Sequence, residues 1–154
     1  MKYYDRLIVV SNTDTASGPM AAALLAKKLM LEDILVVTRG LVVLFPEPVN
    51  AKAEAVLASH GLSMKDHHSE PLVKEDFDDR TLVLTVSKNS LQKVRNNFDQ
   101  KPDWHLASME EYAQGGKEPS HPYGGTLADY GKCYEELDQL TDLLAEQIKK
   151  EDKR

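Results

Sequence analysis

The chain has 154 residues, of which 42% are hydrophobic and 29% are charged, with only 8 glycines and 7 prolines. This composition argues against a disordered or fibrous protein and predicts one folded domain. The net charge of −6 argues against a nucleic-acid or membrane partner, which would require a basic surface. Cys133 is the only cysteine, which excludes an internal disulfide, and we expect a cytoplasmic protein.

The first predicted unit is a strand, a loop and a helix. Leu7 to Val10 is a short, β-branched apolar run, which is typical of a strand buried on both faces. The polar loop from Ser11 to Gly18 follows. Pro19 then opens a helical run that Ser17 or Gly18 is placed to cap.

The pattern repeats twice more along the chain. Ile34 to Thr38 predicts a second strand, and a helix from Ala51 to Ser59 follows it, with Asn50 as its cap and Gly61 as its terminator. Thr81 to Val86 predicts a third strand. Its helix is predicted to be capped by Ser87 and to place three apolar side chains on one face, those of Leu91, Val94 and Phe98.

The last part of the chain predicts a weaker fourth strand from Trp104 to Ala107 and a long C-terminal helix from Thr126. Apolar residues recur along this helix at spacings of three, four and seven, namely Tyr130, Tyr134, Leu137, Leu144 and Ile148. Residues 1–150 are predicted to form the domain and residues 151–154 a frayed charged tail.

Alternating strands and helices of these lengths predict an α/β, three-layer domain with a four-stranded parallel sheet and helices on both faces. In such sheets, ligands bind at the carboxyl ends of the strands. The loop from Ser11 to Gly18 is the corresponding place here. It feeds a helix N-terminus, which offers free N–H groups and the positive end of the helix dipole to an anion, although many loops of this kind only cap their helix.

The stretch IVVSNTDTASGPMAAALL resembles the signature of the low-molecular-weight protein tyrosine phosphatases. In that family a strand runs into Cys, five residues, Arg, Ser, Pro-Met and an Ala-rich helix. Further similar segments are HHSEPLVKEDFDD, TLVLTV, MEEYA and HPYGGTLADYGKCYEEL, so that the resemblance covers nearly the whole chain in register. It implies the family's fold and a phosphate-binding loop, and the family's activity is phosphoester hydrolysis.

The catalytic positions of the family carry other residues here. The resemblance places Ser11 where the family has its nucleophilic cysteine and Ser17 where it has its phosphate-clamping arginine. His121 falls on the general-acid aspartate, Asp14 on a loop asparagine, and Glu70 on an arginine. The ligand-binding positions that the resemblance implies are Asn12, Thr13, Asp14, Thr15, Ala16, Gly18 and Tyr123, the last as an aromatic cleft wall.

These replacements predict a catalytically inactive pseudophosphatase. A serine hydroxyl does not form the nucleophile that a low-pKa thiolate provides, and Ser17 offers one neutral hydrogen bond in place of a bidentate guanidinium. We therefore expect a module that binds a protein or small ligand and needs no cofactor or metal. The loop is expected to stay ordered but to bind oxyanions poorly and to prefer neutral or cationic groups, because Asp14 could point into the cradle and occupy it.

Two alternatives remain. Ser11, His121 and Asp14 are the residue types of a hydrolytic triad, which could support a phosphatase or hydrolase of altered mechanism. The other alternative is an oligomer-forming structural protein, since related domains can self-associate around the cleft. A weak homodimer is therefore a candidate.

Four other features have simpler interpretations. His67 and His68 are interpreted as part of a solvated turn rather than a metal site. Cys133 is expected to be a small, partly buried apolar residue, and Trp104 is expected in the core. The apolar stretch at positions 41–49, which carries Phe45, is predicted to be an exposed contact surface.

Overall fold

Four parallel strands form the middle layer of the protein in a computed structural model that describes residues 3–152. The strands are β1 (Arg6–Ser11), β2 (Leu35–Gly40), β3 (Thr81–Thr85) and β4 (His105–Ser108), in the order β2-β1-β3-β4. All three pairings are parallel. The four predicted strands are confirmed, with β2 and β4 each beginning one residue later than the sequence predicted.

The helices are α1 (Ser17–Lys28), α2 (Ala51–Ser59), α3 (Lys88–Asn97), α4 (Met109–Ala113) and α5 (Leu127–Asp152). The predicted caps of α2 and α3 are confirmed. The Asn50 side chain accepts from the amides of Lys52 and Ala53, and the Ser87 side chain accepts from the Ser90 amide. Gly61 adopts φ +76°, and the amide of Leu62 donates to the Leu57 carbonyl, which closes the end of α2.

The predicted cap of α1 is wrong. Ala16 is the N-cap residue and makes no side-chain capping bond, because the helix already begins at Ser17. Ser17 and Gly18 therefore belong to the first turn, together with Pro19, whose missing N–H costs nothing there. The first turn of α1 is left without a side-chain acceptor.

The helix α5 extends to Asp152, two residues beyond the predicted end of the domain, and the fraying of residues 151–154 stays a prediction. The Tyr112 hydroxyl donates to Glu151 Oε2 at 2.6 Å, which fastens the last turn of the helix to α4. Positions 153 and 154 lie outside the described residues.

The core has two parts, one on each face of the sheet. Leu7 and Val9 of β1 face the larger part, which also contains the buried faces of α1, α2 and α5. Ile8 and Val10 face the smaller part, which is closed by α3 and by Trp104 stacked on Phe77 with ring centroids 4.1 Å apart. A strand that alternates between two apolar layers requires helices on both faces, so the predicted three-layer α/β fold is confirmed.

The five aromatic and aliphatic residues that predicted α5 all face the larger part of the core: Tyr130, Tyr134, Leu137, Leu144 and Ile148. Cys133 lies among them, fully buried, and burial raises the pKa of its thiol to about 12. It is a packing residue, more deeply buried than the sequence predicted. No helix in the described part of the chain has the length and apolar character that a membrane span needs.

Candidate functional site

A cleft of about 570 Å³ opens at the carboxyl ends of β1 and β3. Three segments form it: the loop between β1 and α1, the start of α3, and residues 121–123. It is lined by Ser11, Asn12, Thr13, Ala16, Ser17, Val86, Ser87, Asn89, Ser90, Lys93, His121, Pro122 and Tyr123. The structure thus brings Ser11, Ser17 and His121 to one cavity, at the place where a parallel sheet of this kind binds ligands.

Ser11 is the last residue of β1 and lies at the bottom of the loop. Its Oγ accepts a hydrogen bond from the Asp14 amide at 3.1 Å. A Cβ atom at position 18 would lie 2.5 Å from Ser11 Oγ, a separation that nonbonded atoms do not tolerate. Gly18 is therefore required so that the first turn of α1 can pack against Ser11, although Gly18 itself does not line the cleft.

The loop leaves several backbone donors unused. Within the described residues, the amides of Asn12, Thr13, Thr15 and Ala16 donate to no protein acceptor. The uncapped first turn of α1 adds the positive end of the helix dipole. Two other hydrogen bonds hold Thr15. Its carbonyl accepts from the Asn50 amide at 2.7 Å, and its hydroxyl is hydrogen-bonded to that of Thr13.

Asp14 turns away from the cleft, contrary to the expectation that its carboxylate could occupy the cradle. The residue adopts φ +59°, in the left-handed region that Asp and Asn tolerate better than most residues. Its side chain is 1% exposed, and Oδ2 accepts from the Glu70 amide at 3.0 Å. Oδ1 is buried without a hydrogen-bond partner among the described residues. Asp14 therefore supports the loop from beneath and does not line the cavity.

Burial raises the pKa of Asp14 above its ordinary value of 3.8. The opposing influences, from Thr38, the Glu70 amide, His67 and Arg39, are each smaller. A carboxyl removed from water disfavours its charged form, so the folded protein retains this proton more readily than the unfolded chain does.

His67 lies in this buried contact and not in a solvated turn, so that interpretation is wrong for His67. Its side chain is 6% exposed, and Nε2 lies 2.7 Å from the Asp14 carbonyl oxygen and 3.5 Å from Asp14 Oδ1. His68 is exposed. No group of three or more His, Cys, Asp and Glu side chains suited to a metal ion occurs among residues 3–152.

The hydrolytic triad considered from the sequence is not assembled. Asp14 contacts Glu70 and His67 on the underside of the loop, whereas His121 is 66% exposed and has Glu118 Oε2 at 3.8 Å from its Nε2. Tyr123, the predicted aromatic wall, lines the cleft and is 78% exposed. Asp14 therefore cannot orient His121 toward Ser11.

The contribution of α3 to the cleft was not predicted from the sequence. Ser87, Asn89, Ser90 and Lys93 line it, and Lys93 Nζ lies 3.2 Å from Asn12 Oδ1, so that the ammonium group donates to the loop side chain. The signal was present in the sequence. Asn89 and Lys93 are four residues apart, so their side chains share one face of the helix. This face is different from the apolar face that predicted the helix.

The apolar stretch at positions 41–49 begins beside the cleft, and its middle, positions 44–48, is exposed, as predicted. The amides of Leu41 and Val42 donate to the Asn12 carbonyl, and the Glu47 amide donates to Ser69 Oγ at 2.8 Å. Between these two attachments the side chain of Phe45 is 64% exposed, and that of Leu44 is also exposed. An apolar tip fixed at both ends is typical of a contact surface.

Comparison with known proteins agrees with this architecture. A family model described as "Low molecular weight phosphotyrosine protein phosphatase" matches residues 6–154. A protein-arginine-phosphatase of Bacillus subtilis (strain 168) is 30% identical over 151 residues, covering 94% of this chain and 97% of the relative.

Two solved structures are similar over nearly their whole length. The YwlE arginine phosphatase from Geobacillus stearothermophilus superimposes with a TM-score of 0.85 at 28% identity, covering 95% of this chain and 94% of that one. A Cys-to-Ser mutant of YwlE arginine phosphatase, solved "with phosphorylated active site serine", superimposes with a TM-score of 0.83 at 26% identity, covering 96% and 98%. The chain therefore belongs to the low molecular weight phosphotyrosine protein phosphatase family.

Proposed function

We propose that this protein is a catalytically inactive member of its family that binds a ligand in the cleft without hydrolysing it. The observation that carries the proposal is the pair Ser11 and Ser17, which line the cleft at the positions of the family's nucleophile and clamp. The only thiol of the chain, that of Cys133, is buried in α5 with its pKa raised. Neither a thiolate nor a guanidinium lines the cavity.

In this proposal the protein lacks the catalytic groups of its family but keeps the backbone structure of the loop. Phosphoryl transfer by this family depends on a nucleophile that is ionised at neutral pH and on cationic stabilisation of the transition state. Ser11 Oγ is a neutral hydroxyl that already accepts a bond from the Asp14 amide. The loop nevertheless retains free amides, the close packing at Gly18 and the uncapped α1. Such a site can still bind.

The names of the relatives suggest the substrates with which to test turnover. Protein-arginine-phosphatases are among the similar proteins, so phosphoarginine belongs beside phosphotyrosine peptides and p-nitrophenyl phosphate in the assay. We expect no hydrolysis above background from pH about 5 to 8, because no lining side chain replaces the thiolate. Robust turnover that Ser11→Ala abolishes would refute the proposal.

A second candidate function is transfer of a phosphoryl group to Ser11, favoured by the similar mutant whose active-site serine is phosphorylated. Ser11 Oγ would attack phosphorus, the bond from phosphorus to the leaving atom would break, and the hydroxyl proton would pass to the leaving group. His121 lines the same cleft and is the candidate proton carrier. Without an efficient way to hydrolyse the phosphoserine at position 11, the phosphorylated protein would accumulate.

Mass spectrometry of the intact protein after incubation with a phosphorylated peptide separates the two candidates. A gain of one phosphoryl group that maps to Ser11 and is absent in Ser11→Ala supports transfer. An unchanged mass together with measurable binding supports the inactive binding module.

We further propose that the partner is a protein or a small ligand and that contacts outside the cleft involve the apolar tip at positions 41–49. Its exposed side chains, Val42, Leu44 and Phe45, begin next to Asn12 of the cleft. A weak homodimer through this surface is one arrangement of this kind.

A further inference from the structure

The lining of the cleft differs in charge from the protein as a whole. The chain carries a net charge of −6, yet none of the residues that line the cavity is acidic. Lys93 and His121 are the lining residues with basic side chains. An acidic protein that keeps carboxylates out of one cavity presents a local site for an anion.

Lys93 is held at the loop. Its Nζ lies 3.2 Å from Asn12 Oδ1, although it belongs to α3 and is separated from Asn12 by 81 residues. An ammonium group has three donors, and this bond uses one. The others remain for a ligand beside the unused amides of Asn12 and Thr13.

Asp14 does not oppose an anion as the sequence suggested. Its carboxyl lies on the far side of the loop, bonded to the Glu70 amide and in contact with His67. Burial also favours its neutral form. The negative charge that was expected to make the loop reject oxyanions is therefore absent from the cavity.

We propose that Lys93 supplies from α3 the positive charge that Ser17 cannot supply from α1, and that the cleft binds the phosphoryl group of a phosphorylated ligand. The inference rests on the proposed function in that the ligand is bound and not consumed. The cavity of about 570 Å³ exceeds the size of a phosphate, which leaves room for the body of the ligand beside Tyr123. Lys93 acts as a point charge, without the bidentate geometry of a guanidinium.

Binding of phenyl phosphate and inorganic phosphate to the full chain, measured by titration calorimetry, tests this inference. We expect phenyl phosphate to bind more tightly than phosphate, because its ring adds contact with the cleft wall. Raising the salt concentration should weaken both. Lys93→Gln should weaken phenyl phosphate about tenfold, the usual effect of losing one charge-assisted hydrogen bond.

Two variants make the result specific. Arg95→Gln removes the same charge from the same helix at an exposed position that does not line the cleft, and it should leave the dissociation constant within about twofold. Lys93→Arg keeps the charge and should restore most of the affinity. Equal losses in Lys93→Gln and Arg95→Gln would overturn the inference, since they would show only a change in net charge.

Failure of this inference is distinguishable from failure of the proposed function. Turnover of phenyl phosphate would refute the inactive binding module, and binding of sulfate, which is not turned over, would then still test the role of Lys93. If the protein turns nothing over and binds neither phosphate, sulfate nor phenyl phosphate, the inference about Lys93 fails. The binding module would then require a neutral or cationic ligand.

Discussion

The N-termini of α1 and α3 both border the cleft, but they satisfy their backbone donors differently. At α3, Ser87 Oγ accepts from the Ser90 amide, so that the helix carries its own cap. At α1, Ala16 offers no side-chain acceptor, and the preceding loop keeps unused amides. The first turn of one helix is closed by the chain itself, whereas the other is left open to a ligand.

Within one cleft, the N-terminus of α3 is thus closed by a side-chain cap, whereas the N-terminus of α1 has no such cap. At α1, Ser11 and Ser17 line the cleft at the positions where the sequence resemblance expects the family's nucleophile and clamp. The capped helix, α3, contributes the cationic side chain of Lys93 to the cleft. Substitutions at either N-terminus, or in the support beneath the loop before α1, test this comparison.

The largest effect is expected from restoring the chemistry at α1. The combined substitution Ser11→Cys, Ser17→Arg and His121→Asp supplies the nucleophile, clamp and acid of the family, with Asp14 unchanged because it lies beneath the loop. Hydrolysis of p-nitrophenyl phosphate should rise at least about a hundredfold above that of the unmodified protein, since these groups act as one unit.

The control for this restoration keeps Ser11 and carries only Ser17→Arg and His121→Asp, which should remain at background. Circular dichroism establishes that both variants are folded. An inactive, well-folded triple variant would show that the loop does not have the shape of the active family's cradle.

A smaller effect, on the free energy of unfolding, is expected from changing Asp14, which supports the loop before α1 from beneath. Asp14→Ala deletes the acceptor of the Glu70 amide, and leaving a partly buried N–H unpaired costs about 1–3 kcal/mol. Asp14→Asn keeps an amide oxygen and the tolerance of positive φ, so it should cost less. Urea unfolding measures both, and equal losses would show that the acceptor at this position is unimportant.

The pH dependence of stability tests the raised pKa of Asp14. Because the folded protein holds this proton more tightly, the contribution of Asp14 to stability is greatest at low pH. It falls as the pH rises from the unfolded value of 3.8 through the raised folded value. The free energy of unfolding of the wild type, relative to Asp14→Asn, should therefore decrease over that interval and then stay constant.

Urea unfolding of both proteins from pH about 3 to 8 provides the measurement. Asp99→Asn, at an exposed position after α3, accounts for the general effect of losing one negative charge. A relative stability of the wild type that increases with pH would contradict the assignment, since it would indicate a lowered pKa.

Removing the side-chain cap of α3 should lower the free energy of unfolding by about 1 kcal/mol. Ser87→Ala removes the cap of α3, and Asn50→Ala removes the cap of α2 as a matched control at a helix outside the cleft. Both should lower the free energy of unfolding by similar amounts in denaturant titrations. A negligible change in Ser87→Ala would mean that packing and the bond from the Lys88 amide to Glu118 Oε1 are enough to hold the first turn of α3.

The smallest effect on stability is expected at the apolar tip. Leu44→Ser with Phe45→Ser changes exposed side chains and should alter the free energy of unfolding by less than about 0.5 kcal/mol. If the tip mediates the proposed weak homodimer, sedimentation at increasing protein concentration should show less association for this variant than for the wild type. Unchanged association would exclude the tip as the dimer surface.

The sequence predicted the fold well because the apolar pattern is strong and local. The short runs that form β1 and β3 are too apolar for a strand with one exposed face, which predicts burial on both faces. Asn50 and Ser87 directly precede the helices that they cap. The cap of α1 was misassigned because Ser17, Gly18 and Pro19 each carry a helix-start signal. Such signals locate a helix end only to within a residue or two.

The sequence by itself determined the family, the order of the strands and helices, and the absence of a thiolate and a guanidinium from the expected catalytic positions. It could not determine the direction of the Asp14 carboxyl, because the positive φ that turns it toward Glu70 arises from the folded loop. Nor could it show that Lys93 reaches Asn12 from 81 residues away. Only the tertiary structure decided the charge of the cleft, because that charge depends on which side chains from distant segments share one cavity and which are buried behind it.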